Sequence, residues 1–150
     1  MVALKAGAES AGSTPMGRSA RPDLGHELIP KERYISRHYM EAEQEDLWPR
    51  VWHLAGFDSD LPEPGSYFTY EVARESVVVL RQEDGDVRAF HNVCMHRGNR
   101  LLEPGRGKVR RLTCLFHAWR YGIDGRLEEA LDESTFSQGC PPEALSLEPV

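Results

Sequence analysis

Cys94-Met95-His96 and Cys114-Leu115-Phe116-His117 place one thiol and one imidazole in each of two short clusters. The spacing reads C-x-H, then seventeen residues, then C-x2-H. Thiolates and neutral imidazoles together are metal-binding groups. Two kinds of centre take two sulfurs and two nitrogens. One is a [2Fe–2S] cluster with both cysteines on one iron and both histidines on the other. The other is a tetrahedral structural zinc. Zinc ligands usually arrive as paired cysteines followed by paired histidines. Here each cluster mixes one Cys with one His, and the first gap is a single residue. That pattern favours the iron–sulfur cluster, with each loop giving one ligand to each iron, and leaves zinc as the alternative.

The other chemically capable residues read more plainly. Cys140 is the third cysteine, and an odd count argues against a disulfide framework, so it is expected to be a free thiol. His91 precedes the first cluster and reads as a strand residue, and His53 as a neighbour of a Trp52 core. Gly98 is expected to let the backbone approach the centre closely, having no Cβ. Trp119 reads either as a shield for the centre or as core packing, and Phe116 and Tyr121 as packing either in the core or just behind the ligands.

The elements that must position these residues are mainly strands. From Ser66 the apolar period is two, and Tyr67–Val72, Ser76–Arg81 and Val87–Asn92 are predicted strands. Asp84-Gly85 is a hairpin signal between the second and third. The third strand delivers the chain into Cys94. Val109–Thr113 is predicted to lead into Cys114, Trp119–Ile123 to leave His117, and Asp124-Gly125 to close a second hairpin toward Leu127. Each cluster therefore falls in a loop after a strand, where rigid scaffolds hold functional side chains. Upstream, Ser36 is placed to cap a helix from Arg37 toward Trp48, with Pro49 at its end or kink. Ala144–Val150 reads as the start of a strand. The organisation expected is a disordered Gly/Ala/Ser/Pro leader over 1–32, a helical segment over 33–60 and a β-domain over 61–150.

Bulk properties exclude several roles. A chain of 150 residues holds one core-building domain. The net charge of -6 gives nucleic-acid binding no electrostatic support. No apolar run approaches the roughly 18 residues a membrane span requires, and no signal-peptide core is visible, so no membrane role is expected and the cytoplasm is the default location.

The stretches Asn92-Val93-Cys94-Met95-His96-Arg97-Gly98-Asn99-Arg100-Leu101 and Cys114-Leu115-Phe116-His117-Ala118-Trp119-Arg120-Tyr121-Gly122-Ile123-Asp124-Gly125-Arg126-Leu127 carry a family resemblance. With Trp52 and Pro64-Gly65-Ser66-Tyr67 they extend it over roughly residues 33–150. The chain resembles the N-terminal Rieske [2Fe–2S] domain of the large subunit of aromatic-ring-hydroxylating Rieske non-haem iron oxygenases. The resemblance implies a mainly β fold, a Rieske-type antiparallel β-sandwich with two cluster-binding loops, preceded by one N-terminal helix. It implies Cys94, His96, Cys114 and His117 as cluster ligands and one-electron transfer as the task. It implies a ferredoxin or flavin reductase as electron donor and a trimer of full-length subunits. Arg97 reads either as a bridge to a neighbouring subunit or as a solvated loop charge.

The resemblance has departures. Such subunits continue into a second domain that holds a mononuclear Fe(II) on two histidines and a carboxylate, and no such pattern occurs in this sequence. The Rieske fold is expected to lack its last strands, leaving an open edge. A stand-alone Rieske ferredoxin is the alternative reading. High-potential Rieske proteins carry an extra cysteine in each loop and a serine two residues after the second histidine. Here Asn99, Leu115 and Phe116 replace the cysteines and Trp119 the serine, which implies a low potential. The family's Pro-Tyr-His-Gly is here Leu115-Phe116-His117-Ala118. Ala118 would strain the loop if that position needs positive φ.

Overall fold

A computed structural model describes residues 2–5 and 28–150. The chain forms two compact units, one of Trp52–Val150 with the chain start through Leu4, the other of Lys5–Val51. The leader expected over 1–32 lies mostly outside the described residues. Within them Val2–Lys5 forms a strand, β1, paired with β2, Trp52–Gly56.

The second unit carries the helical segment. The single helix expected from Arg37 is broken into pieces: α1 is Glu32–Ile35 and α2 is Arg37–Ala42, and a π turn over Glu43–Leu47 and a 3-10 turn over Trp48–Arg50 follow. Ser36 is the extended residue between α1 and α2, and its side chain makes no cap bond. Pro49 sits in the last turn, where its missing N–H costs nothing.

Besides the β1–β2 pair, the β unit has two antiparallel sheets. Strands β3 (Ser66–Val72), β4 (Glu75–Arg81), β5 (Val87–His91) and β6 (Arg106–Lys108) form one in the order β5-β4-β3-β6. Strands β7 (Arg111–Thr113), β8 (Arg120–Gly122) and β9 (Leu127–Glu129) form the other in sequence order. Gly85 and Gly125 hold the two hairpin turns with φ of 88° and 83°, the left-handed region that glycine enters freely.

Strand β4 is the centre of the unit. Val78 and Leu80 join Phe90, Leu112, Trp119, Tyr121 and Leu127 in the larger core. Val77 and Val79 face the opposite way into a second core with Leu61, Phe68 and Ala89. A strand buried on both faces reads as a continuous apolar run, which is why Val77-Val78-Val79-Leu80 shows no alternation. Cys94 and Cys114 belong to the larger core, each only 2% exposed.

Three expectations are corrected. Trp52 is 65% exposed on β2 and does not anchor a core. Ala144–Val150 does not begin as a strand: α3, Pro142–Leu145, takes its first residues, with Pro142 preset for a helix start. The end of the segment does run along β5, through His91 N–H to Glu148 O at 2.9 Å and Val150 N–H to Ala89 O at 3.0 Å. The edge expected to be open is therefore covered at β5. No described helix is long and apolar enough to cross a membrane.

Candidate metal centre

The two loops have the same backbone. In the first, Cys94 N–H donates to Asn99 O (2.8 Å) and Gly98 N–H to Cys94 O (2.9 Å). In the second, Cys114 N–H donates to Trp119 O (2.8 Å) and Ala118 N–H to Cys114 O (2.9 Å). The fifth residue of each is left-handed: Gly98 at φ 71° and Ala118 at φ 57°. Positive φ is thus a requirement of the loop, and Ala118 meets it without glycine's freedom. At Gly98 a Cβ would meet nothing within 4 Å, so conformation, not clearance, is what glycine supplies there.

Each loop is pinned at its base. Buried Asn92 donates to Leu102 O (2.7 Å) and Ser76 Oγ (3.1 Å) and accepts Leu102 N–H (2.9 Å), closing the first loop onto β4. Arg100 makes a two-pronged pair with Glu71, both arms at 3.2 Å. The second loop is closed by the β7–β8 pairing of Thr113 with Arg120.

The loops also brace each other. Tyr121, leaving the second loop on β8, brings its hydroxyl to 3.3 Å from Cys94 Sγ and accepts Met95 N–H at 3.1 Å. Asn99, leaving the first, points its amide N–H at Cys114 Sγ, 3.7 Å away. Arg97 sets its guanidinium 5.8 Å from the centre of the Phe116 ring, a third link within this chain. Tyr121 has no exposure, and burial, then the Cys94 thiol, push its phenol well above the ordinary range. It therefore keeps its proton, and toward a thiolate it is the donor.

Of the four residues expected as ligands, the two histidines meet each other, and so do the two cysteines. The His96 and His117 rings stand edge to face with centroids 4.7 Å apart. His96 Nδ1 and His117 Nδ1 are both buried without any hydrogen-bond partner. A buried nitrogen left unpaired is costly, so two of them side by side mark the place of a group that the ring nitrogens bind. The thiols lie in contact as well. Burial raises Cys94, whereas at Cys114 burial is outweighed by the backbone N–H groups of Phe116 and His117, and the net direction is down. Among the described residues no three His, Cys, Asp or Glu side chains converge as a single-ion site. A two-iron cluster asks for pairs: two sulfurs on one iron, two nitrogens on the other.

Around His96 the packing is aromatic. Trp119 lies flat on the imidazole, 4.6 Å between centroids and 6° between planes, and Phe136 meets its edge at 5.6 Å. The Trp119 indole N–H donates to Asp132 Oδ1 at 2.6 Å. That bond lowers the Asp132 carboxyl below its usual range. Trp119 is thus both core and shield. Leu115 and Phe116 project from the tip, 87% and 59% exposed. Cys140 is a buried free thiol in the same core. His91 is outside the centre, paired with Glu75 at 3.3 Å, and His53 meets Tyr70 OH at 3.4 Å. The Asn99 contact with Cys114 and the part played by Asp132 are what sequence reasoning missed. Tyr121 was read as packing in the core or just behind the ligands, and its bond to Cys94 is what the structure adds.

Two matched loops, each offering one thiol and one imidazole, define a β-domain with the side chains of a metal centre. Residues 51–138 match the family profile of the Rieske [2Fe-2S] domain, and the chain belongs to that family. A glycine betaine monooxygenase oxygenase subunit of Pseudomonas aeruginosa is 37% identical over 99 residues, 66% of this chain and 23% of that protein. Among solved structures, the quaternary ammonium Rieske monooxygenase CntA bound to gamma-butyrobetaine is 36% identical with a TM-score of 0.74, over 81% of this chain and 34% of that one. A naphthalene 1,2-dioxygenase bound to phenanthrene is 32% identical with a TM-score of 0.70, over 75% and 26%. The chain spans about a quarter of the length of the curated relatives it matches, 23% for the first.

Proposed function

We propose that this chain is the electron-transfer part of a Rieske oxygenase large subunit. Cys94 and Cys114 would hold one iron of a [2Fe–2S] cluster, and His96 and His117 the other through Nδ1. When bound, such a cluster accepts and passes one electron, with the mixed ligation setting its potential. The chain's own residues do the rest. Tyr121 donates to Cys94 Sγ, Asn99 to Cys114 Sγ, and Trp119 keeps water from one face of His96. The observation that carries the reading is the pair of buried, partnerless Nδ1 atoms on adjoining histidines.

The finer parts rest on the relatives. Electrons would come from a ferredoxin or flavin reductase and leave for a mononuclear Fe(II) in a further domain, within an assembly of full-length subunits in the cytoplasm. The substrate class proposed for the whole protein is a quaternary ammonium, on the names of glycine betaine monooxygenase and CntA, 36–37% identical to this chain. The test of the core reading is anaerobic reconstitution followed by iron and sulfide analysis and EPR. Two irons and two sulfides with a reduced rhombic signal support it. Zinc alone, held by the same four side chains, overturns it.

A further inference from the structure

Asp132 lies behind His96, on the far side of the imidazole from Nδ1. We infer that Asp132 is a positioning residue that sets the orientation of His96 and, through its charge, holds down the reduction potential of the centre. This rests on the reading of His96 as a ligand.

Three contacts carry the inference. The Trp119 indole is 1% exposed, and a buried indole N–H needs an acceptor. Asp132 Oδ1 is that acceptor at 2.6 Å, a charge-assisted bond. The indole plane in turn lies within 6° of the His96 plane. Fixing the indole therefore fixes the face against which the imidazole rests, with Phe136 standing at the edge of both rings at 5.6 and 6.1 Å. The second oxygen, Oδ2, is 3.9 Å from His96 Nε2, too long for a hydrogen bond. At that distance the carboxylate acts on the ring as a charge. His96 is 12% exposed and Asp132 32%, so water screens the pair only in part.

A negative charge behind an iron-binding imidazole disfavours an added electron. Among the described residues no Arg or Lys forms an ion pair with Asp132. Arg97 is engaged with Phe116, and Arg120 pairs with Glu129 on β9. Asp132 thus joins the orienting and the tuning of His96 in one side chain.

The full chain, reconstituted with iron and sulfide, is titrated for reduction potential with EPR of the reduced state. Asp132→Asn keeps an acceptor for the indole and removes the charge. Its reduction equilibrium is expected to shift about threefold to tenfold toward the reduced form, roughly 30 to 60 mV at about 59 mV per tenfold for one electron. Asp132→Glu keeps the charge and is expected near the wild-type potential. Asp132→Ala removes both, and its EPR g-values are expected to shift along with the potential. A cluster-loaded Asp132→Asn at the wild-type potential, or Asn and Glu variants that shift alike, overturns the inference and leaves the ligand assignment standing. Should Asp132→Asn take up no iron, Asp132→Glu decides: wild-type potential supports the inference and an upward shift refutes it. A wild-type chain that takes up no iron and sulfide overturns the ligand reading, and the inference falls with it.

Discussion

The two loops share one backbone but not one residue at its left-handed position, and swapping those residues has a calculable effect. Ala118 sits at φ 57° and Gly98 at φ 71°. An L-residue in that region carries roughly 1–2 kcal/mol of steric cost between its Cβ and backbone carbonyl. Glycine removes that cost but frees the unfolded chain, losing back about 0.5–1 kcal/mol. Ala118→Gly should therefore stabilise the fold by about 0.5–1 kcal/mol. Gly98→Ala should destabilise it by a similar amount, because its Cβ would enter open space and only the backbone term changes. The assay is urea unfolding of the metal-free chain followed by tryptophan fluorescence, with midpoints compared at constant slope. Opposite shifts of similar size are expected. Ala118→Gly at or below wild-type stability would show that the left-handed site is not strained and that the loop equivalence does not extend to energetics.

Other substitutions test other contacts. Tyr121→Phe removes the hydroxyl 3.3 Å from Cys94 Sγ and orphans Met95 N–H, so the reduction potential of reconstituted protein should fall and stability should drop by about 1–3 kcal/mol. Redox titration and urea unfolding read the two effects separately, and an unchanged potential would remove Tyr121 from the tuning of the centre. Gly65→Ala places a Cβ 2.2 Å from Val109 O at φ +80°, so soluble yield and unfolding midpoint should both fall sharply. Cys140→Ser should leave iron and sulfide content at wild-type levels, checked by elemental analysis, because its thiol lies outside the four proposed ligands.

What was legible in the sequence followed local chemistry. Strands β3, β4 and β5 were found to within a residue, since branched and aromatic residues run between Pro64-Gly65, Ala73-Arg74 and Asp84-Gly85. The cysteine and histidine spacing pointed to a centre, and in the structure the two loops bring His96 beside His117 and Cys94 beside Cys114. Strand β6 was missed because Arg106-Gly107-Lys108 is exposed and is held by edge pairing with Ser66–Phe68, which no local pattern encodes. The helix from Arg37 was read as one piece because periodicity does not register the extended Ser36 or the π turn after Ala42. Trp52 read as core because it is large and apolar, although β2 turns it outward. Tyr121, Asn99 and Asp132 act on partners 13 to 27 residues away in sequence, and such pairings appear only once the two hairpins stand side by side.

The most direct measurement is the metal content and EPR spectrum of the anaerobically reconstituted wild-type chain beside His96→Cys and His117→Cys. Two irons and two acid-labile sulfides per chain are expected in all three, with the potential of each histidine variant falling toward that of all-cysteine clusters. Zinc without sulfide in the wild type, or histidine variants whose potentials match it, would contradict the assignment of the two imidazoles to iron.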